Sequence, residues 1–179
     1  FLLIAHTMNA TSRQLPSIFF NILFTVTVAG FYMLIQRVIS APLSIIGGTI
    51  GDVFRQQASK AYAERGECIS EYKNTFKKLL IISVLPFAVF IFIAPDLFAI
   101  VFGENWREAG FYAQILTPMF FLQFVTGPLT NMFMIAEKQK LNLFWQTCLL
   151  IATGLAFIVG YASKDVMTTI IFFSAAYTL

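Results

Sequence analysis

Arg37 is the residue of this sequence whose surroundings most directly predict a chemical role. It shares the apolar segment from Phe31 to Phe54 with one other charged residue, Asp52. A guanidinium in lipid costs at least about 2.5–3.5 kcal/mol. Arg37 therefore either faces a polar cavity within a helix bundle or extends to headgroups about 9 Å away. In a cavity, its planar fork would bind a phosphate or carboxylate group of a substrate. Asp52 is explained by a local ion pair with Arg55, three residues further on.

Further polar residues in or beside apolar segments are candidates for the same site. Gln36 and Asn21 carry amides, which within a membrane either hydrogen-bond to other helices or bind substrate hydroxyls such as those of sugars. Arg13 precedes the first apolar segment and either anchors it at the membrane surface or lies at the mouth of a cavity. The candidate substrate-binding residues are thus Arg37, Arg13, Gln36 and Asn21. The same two roles are open to four other amides: Gln114, Gln123, Asn131 and Gln146.

No set of residues in the sequence indicates catalysis. Covalent hydrolysis needs a nucleophile, a base and an orienting acid, and the one histidine, His6, stands alone. Cys68 and Cys148 lie in unrelated contexts and lack the spacing of a zinc site. No glycine-rich loop leads to a Lys-Ser/Thr pair that would bind ATP phosphates. We therefore predict a protein that is not an enzyme and that uses no metal and no cofactor.

The composition indicates a membrane protein. Hydrophobic residues make up 58% of the 179 residues and charged residues 12%, whereas a soluble domain has about 25% charged residues. The excess apolar surface is therefore expected to face lipid. The formal net charge of +3 does not indicate a nucleic-acid partner, because the basic residues lie in short segments between apolar runs.

The apolar segments predict an all-α, polytopic membrane helix bundle of about six transmembrane helices. Each complete span needs about 20 mostly apolar residues. The sequence begins with Phe1 instead of Met and ends inside an apolar run. Residues 1-179 are therefore expected to form a single transmembrane lobe of a longer polypeptide. The predicted spans are about 12-28, 31-54, 79-102, 109-136, 141-162 and 166-179.

Glycine, proline and polar residues predict where these helices turn or bend. A turn near Gly30 is expected between the first two helices, a kink at Pro42, and a helix break near Asp96. Residues 55-78 form the extended polar stretch. They are expected to contain a helix leaving the membrane, a turn near Gly66 and a cytoplasmic interfacial amphipathic helix, unless their middle is a solvated loop. Further bends are expected at Pro86, Pro95, Pro118 and Gly127-Pro128.

The distribution of basic residues predicts the orientation. With six spans, Arg107 and Lys164 fall on one side of the membrane, and most of the 12 Lys and Arg residues fall on the other. The positive-inside rule assigns the more basic side to the cytoplasm. Its members are Arg13, Arg55, Lys60, Arg65, Lys73, Lys77, Lys78, Lys138 and Lys140.

Three stretches in this order resemble a known family. They are Ser12-Arg13-Gln14-Leu15-Pro16 with Ala29-Gly30-Phe31-Tyr32 and 36–47, then Val53-Phe54 with Gln57-Ala58-Ser59 and Ala61-Tyr62, then 102–110 with Gln114-Ile115-Leu116 and Pro118. With these stretches the sequence is similar to the polysaccharide flippases, the O-antigen or Wzx-type exporters of lipid-linked oligosaccharides, which belong to the multidrug/oligosaccharidyl-lipid/polysaccharide exporter superfamily. The similarity covers roughly residues 2–140, and only hydropathy agrees beyond that.

The resemblance implies a MATE-like transporter of two lobes around a central cavity, of which this chain would be most of the C-terminal lobe. Such proteins move polyprenyl-diphosphate-linked sugar units across the bacterial inner membrane, and their cavities are cationic, which would suit Arg37 and Arg13. The implied partners are the lipid-linked oligosaccharide, membrane lipid, the missing N-terminal lobe and, as a candidate, a polysaccharide polymerase.

Three other functions remain as alternatives. A multidrug or small-solute antiporter of the same fold would need an acid within the membrane for ion coupling. A polymerase or ligase would need large outer loops with catalytic Arg or His. A structural scaffold would leave Arg37 unexplained.

Overall fold

The computed structural model describes residues 14–178, which form helices connected by short turns. No strand occurs within this range. Short 3₁₀ turns, Glu104–Trp106 and Gly127–Thr130, stand at the two ends of the fourth helix. The helices are α1 (described over Gln14–Leu23), α2 (Val26–Arg65), α3 (Ile69–Phe102), α4 (Arg107–Thr126), α5 (Asn131–Ile135), α6 (Gln139–Ser163) and α7 (Val166–Thr178).

The described helices form an all-α polytopic bundle, as the sequence predicts. Three of them, α2, α3 and α6, are long and apolar enough to cross a membrane. Two shorter apolar helices, α1 and α7, accompany them. α4 packs against α2, α3 and α7 and therefore lies at the centre of the bundle.

The turn between α1 and α2 lies before the predicted position. α1 ends at Leu23, and α2 begins at Val26, so Gly30 lies inside a continuous helix rather than in a turn. Thr25 caps α2: its backbone is extended, and its Oγ1 accepts a hydrogen bond from the Val28 amide at 3.2 Å. This cap satisfies one of the amides that a helix start leaves free, which sets the start of the helix.

The turn predicted near Gly66 is present, but a separate interfacial helix is not. Gly66 ends α2 with a left-handed backbone (φ 72°) and donates its amide hydrogen to the Tyr62 carbonyl. α3 then starts at Ile69 and continues without interruption to Phe102. The polar residues before position 79 are thus the first turns of the membrane-crossing helix itself. An ion pair between Arg65 and Glu71, at 2.5 Å, joins the two helices across the turn.

The helix break predicted near Asp96 is wrong, because α3 passes through it. Pro95 cannot donate a hydrogen bond to the carbonyl of residue 91, four positions earlier. The Gln114 side chain of α4 donates to the Ile91 carbonyl instead, so this carbonyl keeps a partner. Asp96 pairs with Arg107 at the start of α4, and both features hold the end of α3 in place.

α4 is held closely against α3 by small residues. A side chain at Gly110 would overlap the backbone of Ala94 and Pro95, so the two helices touch there through their main chains. α4 continues through Pro118 and ends where Gly127 and Pro128 begin a 3₁₀ turn. Of the bends predicted in this segment, the one at Gly127-Pro128 therefore ends the helix and the one at Pro118 does not.

Aromatic rings fill the space between α1, α2, α6 and α7. Phe20 and Phe157 are fully or almost fully buried, with ring centroids 4.9 Å apart. Tyr32 and Phe173 complete the cluster at 5.1 Å and 6.4 Å from Phe20. This cluster fixes α2 against the helices that lie on the side away from α3.

The antiparallel packing separates the basic residues between two ends of the bundle. Gly110 at the start of α4 lies beside the end of α3, and Pro128 just after α4 lies beside Gly47 and Gly51 of α2. The turn at Gly66 and the α5–α6 turn therefore share one end, called the basic end below, with most of the described Lys and Arg residues. Arg107 lies at the opposite end, where its hydrogen bond holds the pKa of Glu104 below the ordinary value.

Candidate substrate-facing surface

α2 has one packed side and one open side. Its buried residues include Ile35, Ile39, Phe54 and Ala58, which recur at helical spacing and belong to the common core. This side contacts α3, α4, α5 and the 3₁₀ turn after α4. The first turns of α2 also pack through Tyr32 against Phe20 and Phe173, so the open side lies further along the helix, from Arg37 onward.

The open side carries arginine at both ends and small residues between. Arg37, Ala41, Ser44, Gly48 and Arg55 follow one another at spacings of three, four or seven residues, so they share one helix face. All five are exposed, and together they are called the free face of α2 below. At 1.5 Å per residue this face is about 27 Å long. The three residues between the arginines are small, and the exposed side chain of Ile45 lies beside them.

The start of α2 places eleven residues, about 17 Å of helix, before Arg37. The ring of Phe31 lies against Trp106, with centroids 5.5 Å apart, so Phe31 is level with the end of the bundle that carries Arg107. Arg37 lies six residues, about 9 Å, further along the helix. The structure is therefore compatible with both explanations of Arg37, a polar cavity and extension to the headgroups at that end.

Within the described part of the chain, the guanidinium of Arg37 has no ion-pair or hydrogen-bond partner. By contrast, Arg55 at the other end of the free face pairs with Asp52 at 3.4 Å, as the sequence predicts. Ser44 is satisfied internally, since its Oγ donates to the Ala41 carbonyl at 2.8 Å. The free face therefore offers one uncommitted cation within an apolar segment of α2.

α2 differs from the other two candidate spans in how its polarity relates to its exposure. It has the lowest mean hydropathy of the three. Its most apolar stretch is also the least buried of the three: 11% of that stretch is buried, against 28% for α3 and 22% for α6. A helix surrounded by lipid would show the opposite relation, with the most exposed helix the most apolar. The free face is therefore suited to water or to a polar ligand.

The structure does not bring the predicted site residues together. Gln36 is half-buried beside Arg37 and, among the described residues, has no hydrogen-bond partner. Asn21 is exposed on α1, two residues before that helix ends. Arg13 lies outside the described residues. Gln36 and Arg37 thus remain neighbours on α2, whereas Asn21 lies on a different helix.

Several of the other amides serve helix packing. Gln114 bonds to the Ile91 carbonyl of α3, and Asn131 donates to the Gly51 carbonyl of α2 at 3.4 Å. Gln146 donates to Asn142 within α6 at 3.3 Å. The sequence left both roles open for these amides, and the structure assigns Gln114 and Asn131 to contacts between helices and Gln146 to a contact within α6. The spacing of Ala41, Ser44 and Gly48 with Arg37 was visible in the sequence, but it did not lead to the prediction of a common face.

Comparison with known proteins gives one match. A family model described as "Polysaccharide biosynthesis protein" matches residues 1–110. The matched range includes the described part of α1, all of α2 and α3, and the first turn of α4, and hence Arg37 and the entire free face. No curated protein and no solved structure matches the chain.

Proposed function

Because the chain belongs to this family of polysaccharide biosynthesis proteins, we propose that it is a transporter that moves polyprenyl-diphosphate-linked oligosaccharide to the outer leaflet. It would act as a multi-pass protein of the bacterial inner membrane. The free face of α2 forms one wall of the route, and Arg37 is the residue that contacts the diphosphate. One observation carries the proposal: an exposed guanidinium without a partner among the described residues lies on the least apolar of the candidate spans, inside the range that the family model matches.

The physical reason for an unpaired arginine in this apolar segment is the charge of the substrate head group. A diphosphate cannot cross hydrocarbon unaided, because its buried charge would lose hydration without compensation. Arg37 replaces part of that hydration with charge-assisted hydrogen bonds. Ala41, Ser44 and Gly48 leave room beside it for the sugars, while the polyprenyl chain stays in the bilayer.

The positions of the acidic residues favour this function over an antiporter coupled through an acid in the membrane. Asp52 pairs with Arg55, towards the basic end, and Asp96 pairs with Arg107 at the opposite end. On α2, no Asp or Glu precedes Asp52. The charge within the apolar part of this helix is therefore cationic, which suits an anionic substrate.

The test uses the complete protein in a strain that lacks its own flippase and cannot display surface polysaccharide. Arg37→Ala is compared with Lys138→Ala, a substitution that removes an exposed cation at the basic end. At equal protein abundance, Arg37→Ala is expected to reduce surface polysaccharide by roughly tenfold or more, the size of one lost charged hydrogen bond. Lys138→Ala is expected to retain wild-type export.

A second substitution separates charge from geometry. Arg37→Lys keeps the charge but loses the bidentate fork, so it is expected to restore part of the export. Proteoliposomes loaded with labelled polyprenyl-diphosphate oligosaccharide give the same comparison without cell growth. Equal transport by the Arg37→Ala and Lys138→Ala proteins would remove Arg37 from the mechanism. Transport of small cationic drugs but not of the lipid-linked sugar would favour the antiporter.

A further inference from the structure

Three lysines lie together on the first turns of α3. Lys73 and Lys77 are four residues apart and therefore neighbours on one helix face, with Lys78 beside them. All three side chains are exposed at the basic end of the bundle. They are called the α3 lysine cluster below.

The lysines of this cluster are free to bind a ligand. Of the nearby acidic residues, Glu64 pairs with Lys60 at 4.0 Å and Glu71 pairs with Arg65 at 2.5 Å. Glu67 forms no ion pair within the described residues. Glu71 also accepts a hydrogen bond from Ser70. Over the described residues, no carboxylate forms an ion pair with Lys73, Lys77 or Lys78. The cluster thus keeps its positive charge uncompensated by the protein.

An apolar surface follows the lysines directly along α3. Ile81, Ile82 and Leu85 are 61%, 55% and 71% exposed. They begin three residues after Lys78, about 5 Å along the helix. The inward residues of the same helix, such as Leu79 and Ser83, are buried against the bundle. A cationic band and an exposed aliphatic band therefore adjoin on the outside of one helix.

We propose that this outer side of α3 binds an anionic glycerophospholipid of the leaflet at the basic end. Its phosphate would lie between Lys73, Lys77 and Lys78, and its acyl chains would lie along Ile81 and Leu85. Charge complementarity selects the head group, and the distance from lysines to aliphatic residues matches the step from phosphate to acyl chain. The proposal does not depend on the transport function, because it uses α3 and not the free face of α2.

The experiment measures lipid binding to the complete purified protein. Phosphatidylglycerol and phosphatidylcholine are titrated separately in a neutral detergent, and bound lipid is counted by native mass spectrometry. Wild-type protein is expected to bind phosphatidylglycerol more tightly, and the difference is expected to shrink as salt is raised. Each lysine near an anionic lipid surface changes affinity by roughly fivefold.

Two triple variants with equal charge changes locate the binding. Lys73→Gln/Lys77→Gln/Lys78→Gln is expected to lose phosphatidylglycerol affinity by roughly tenfold or more. The control variant Lys138→Gln/Lys140→Gln/Lys164→Gln loses three exposed cations elsewhere, and it is expected to stay within about twofold of wild type. Replacing the three α3 lysines with arginine is expected to preserve binding, because the phosphate needs the charge. If the triple Gln variant does not fold, Lys77→Gln alone is expected to lose roughly fivefold.

Several results would overturn the proposal. Equal losses in the two Gln variants would mean that the lipid responds only to net charge. Equal binding of phosphatidylglycerol and phosphatidylcholine would remove the electrostatic basis. Competition by polyprenyl diphosphate, with no effect of phosphatidylglycerol itself, would assign the lysines to the transported substrate instead.

Discussion

Gln114 donates a side-chain hydrogen bond to the main-chain carbonyl of Ile91, which is the carbonyl that Pro95 leaves without its helical partner. Inside a membrane no water is available to replace that partner. The amide of α4 therefore repairs a defect in α3 and joins the two helices at the same point. The contact explains why α3 can contain Pro95 and still continue to Phe102.

The contribution of Gln114 to the stability of the protein is predicted to depend on the presence of Pro95. Gln114→Leu removes the donor and leaves the Ile91 carbonyl unsatisfied, so the free energy of unfolding is expected to fall by about 1 kcal/mol. In a Pro95→Ala background the helix supplies its own amide at position 95, and Gln114→Leu is expected to cost much less. A double-mutant cycle by denaturant unfolding in detergent measures the coupling. Additive costs would contradict the assigned role of Gln114.

Gly110 is predicted to tolerate no side chain. The methyl group of Gly110→Ala would overlap the backbone of Ala94 and Pro95, which cannot move like the end of a flexible side chain. The expected loss of stability is about 1–3 kcal/mol, as for other overpacked positions. Gly154→Ala is the matched control, because a methyl group there meets no atom within 4 Å. Similar thermal midpoints for the two variants would show that α3 and α4 are further apart.

Glu71 is predicted to give the protein part of its acid sensitivity. Hydrogen bonds from its own backbone amide and from Ser70, together with Arg65, hold the pKa of Glu71 below its ordinary value of 4.5. The stabilisation is therefore complete above about pH 4.5 and is lost as the pH falls through the lowered pKa of the folded state.

Glu71→Gln is expected to flatten the fall of unfolding free energy below pH 4.5, measured by denaturant titration at several pH values. Glu67→Gln serves as the control, because Glu67 forms no ion pair in the described part of the chain. This control is expected to follow the wild-type pH dependence. Parallel curves for wild type and Glu71→Gln would mean that another carboxylate is responsible.

The two ends of α3 are predicted to lie on opposite sides of the membrane. Lys73→Cys and Glu104→Cys, each in a Cys68→Ala/Cys148→Ala background, place one thiol at each end. A membrane-impermeant maleimide added outside sealed inside-out vesicles is expected to label position 73 and not position 104. Right-side-out cells should give the reverse. Labelling of both thiols from one side would contradict a membrane-crossing α3.

Hydropathy alone predicted the helical class of the fold, but the helix ends depended on local contacts. The turn expected near Gly30 lies instead at Phe24–Thr25, because Thr25 can cap a helix start whereas Gly30 can simply be accommodated within one. The cap signal was present in the sequence. The continuation of α3 past Asp96 was not readable there, because it depends on Gln114 and Arg107 of another helix.

The candidate site shows the same limit. An arginine in an apolar segment is visible in any sequence, so Arg37 could be selected at once. Its exposure and its lack of a partner could not, because they depend on how α2 packs against the other helices. The association with Asn21 also could not be tested in the sequence, because it depends on how α1 packs against α2. Arg13 lies outside the described residues, so its role remains a prediction.

The length of α2 links Arg37 mechanically to the basic end. The helix runs without interruption from Val26 to Arg65, through Pro42, so Arg65 lies about 42 Å beyond Arg37 along one axis. A tilt of 10° about Arg37 would displace Arg65 by about 7 Å. Arg65 forms an ion pair with Glu71 at the start of α3, so the displacement of Arg65 would disturb the first turns of α3. If a head group passes Arg37 as proposed above, a tilt of α2 that accompanies it would therefore also rearrange the surface at the basic end.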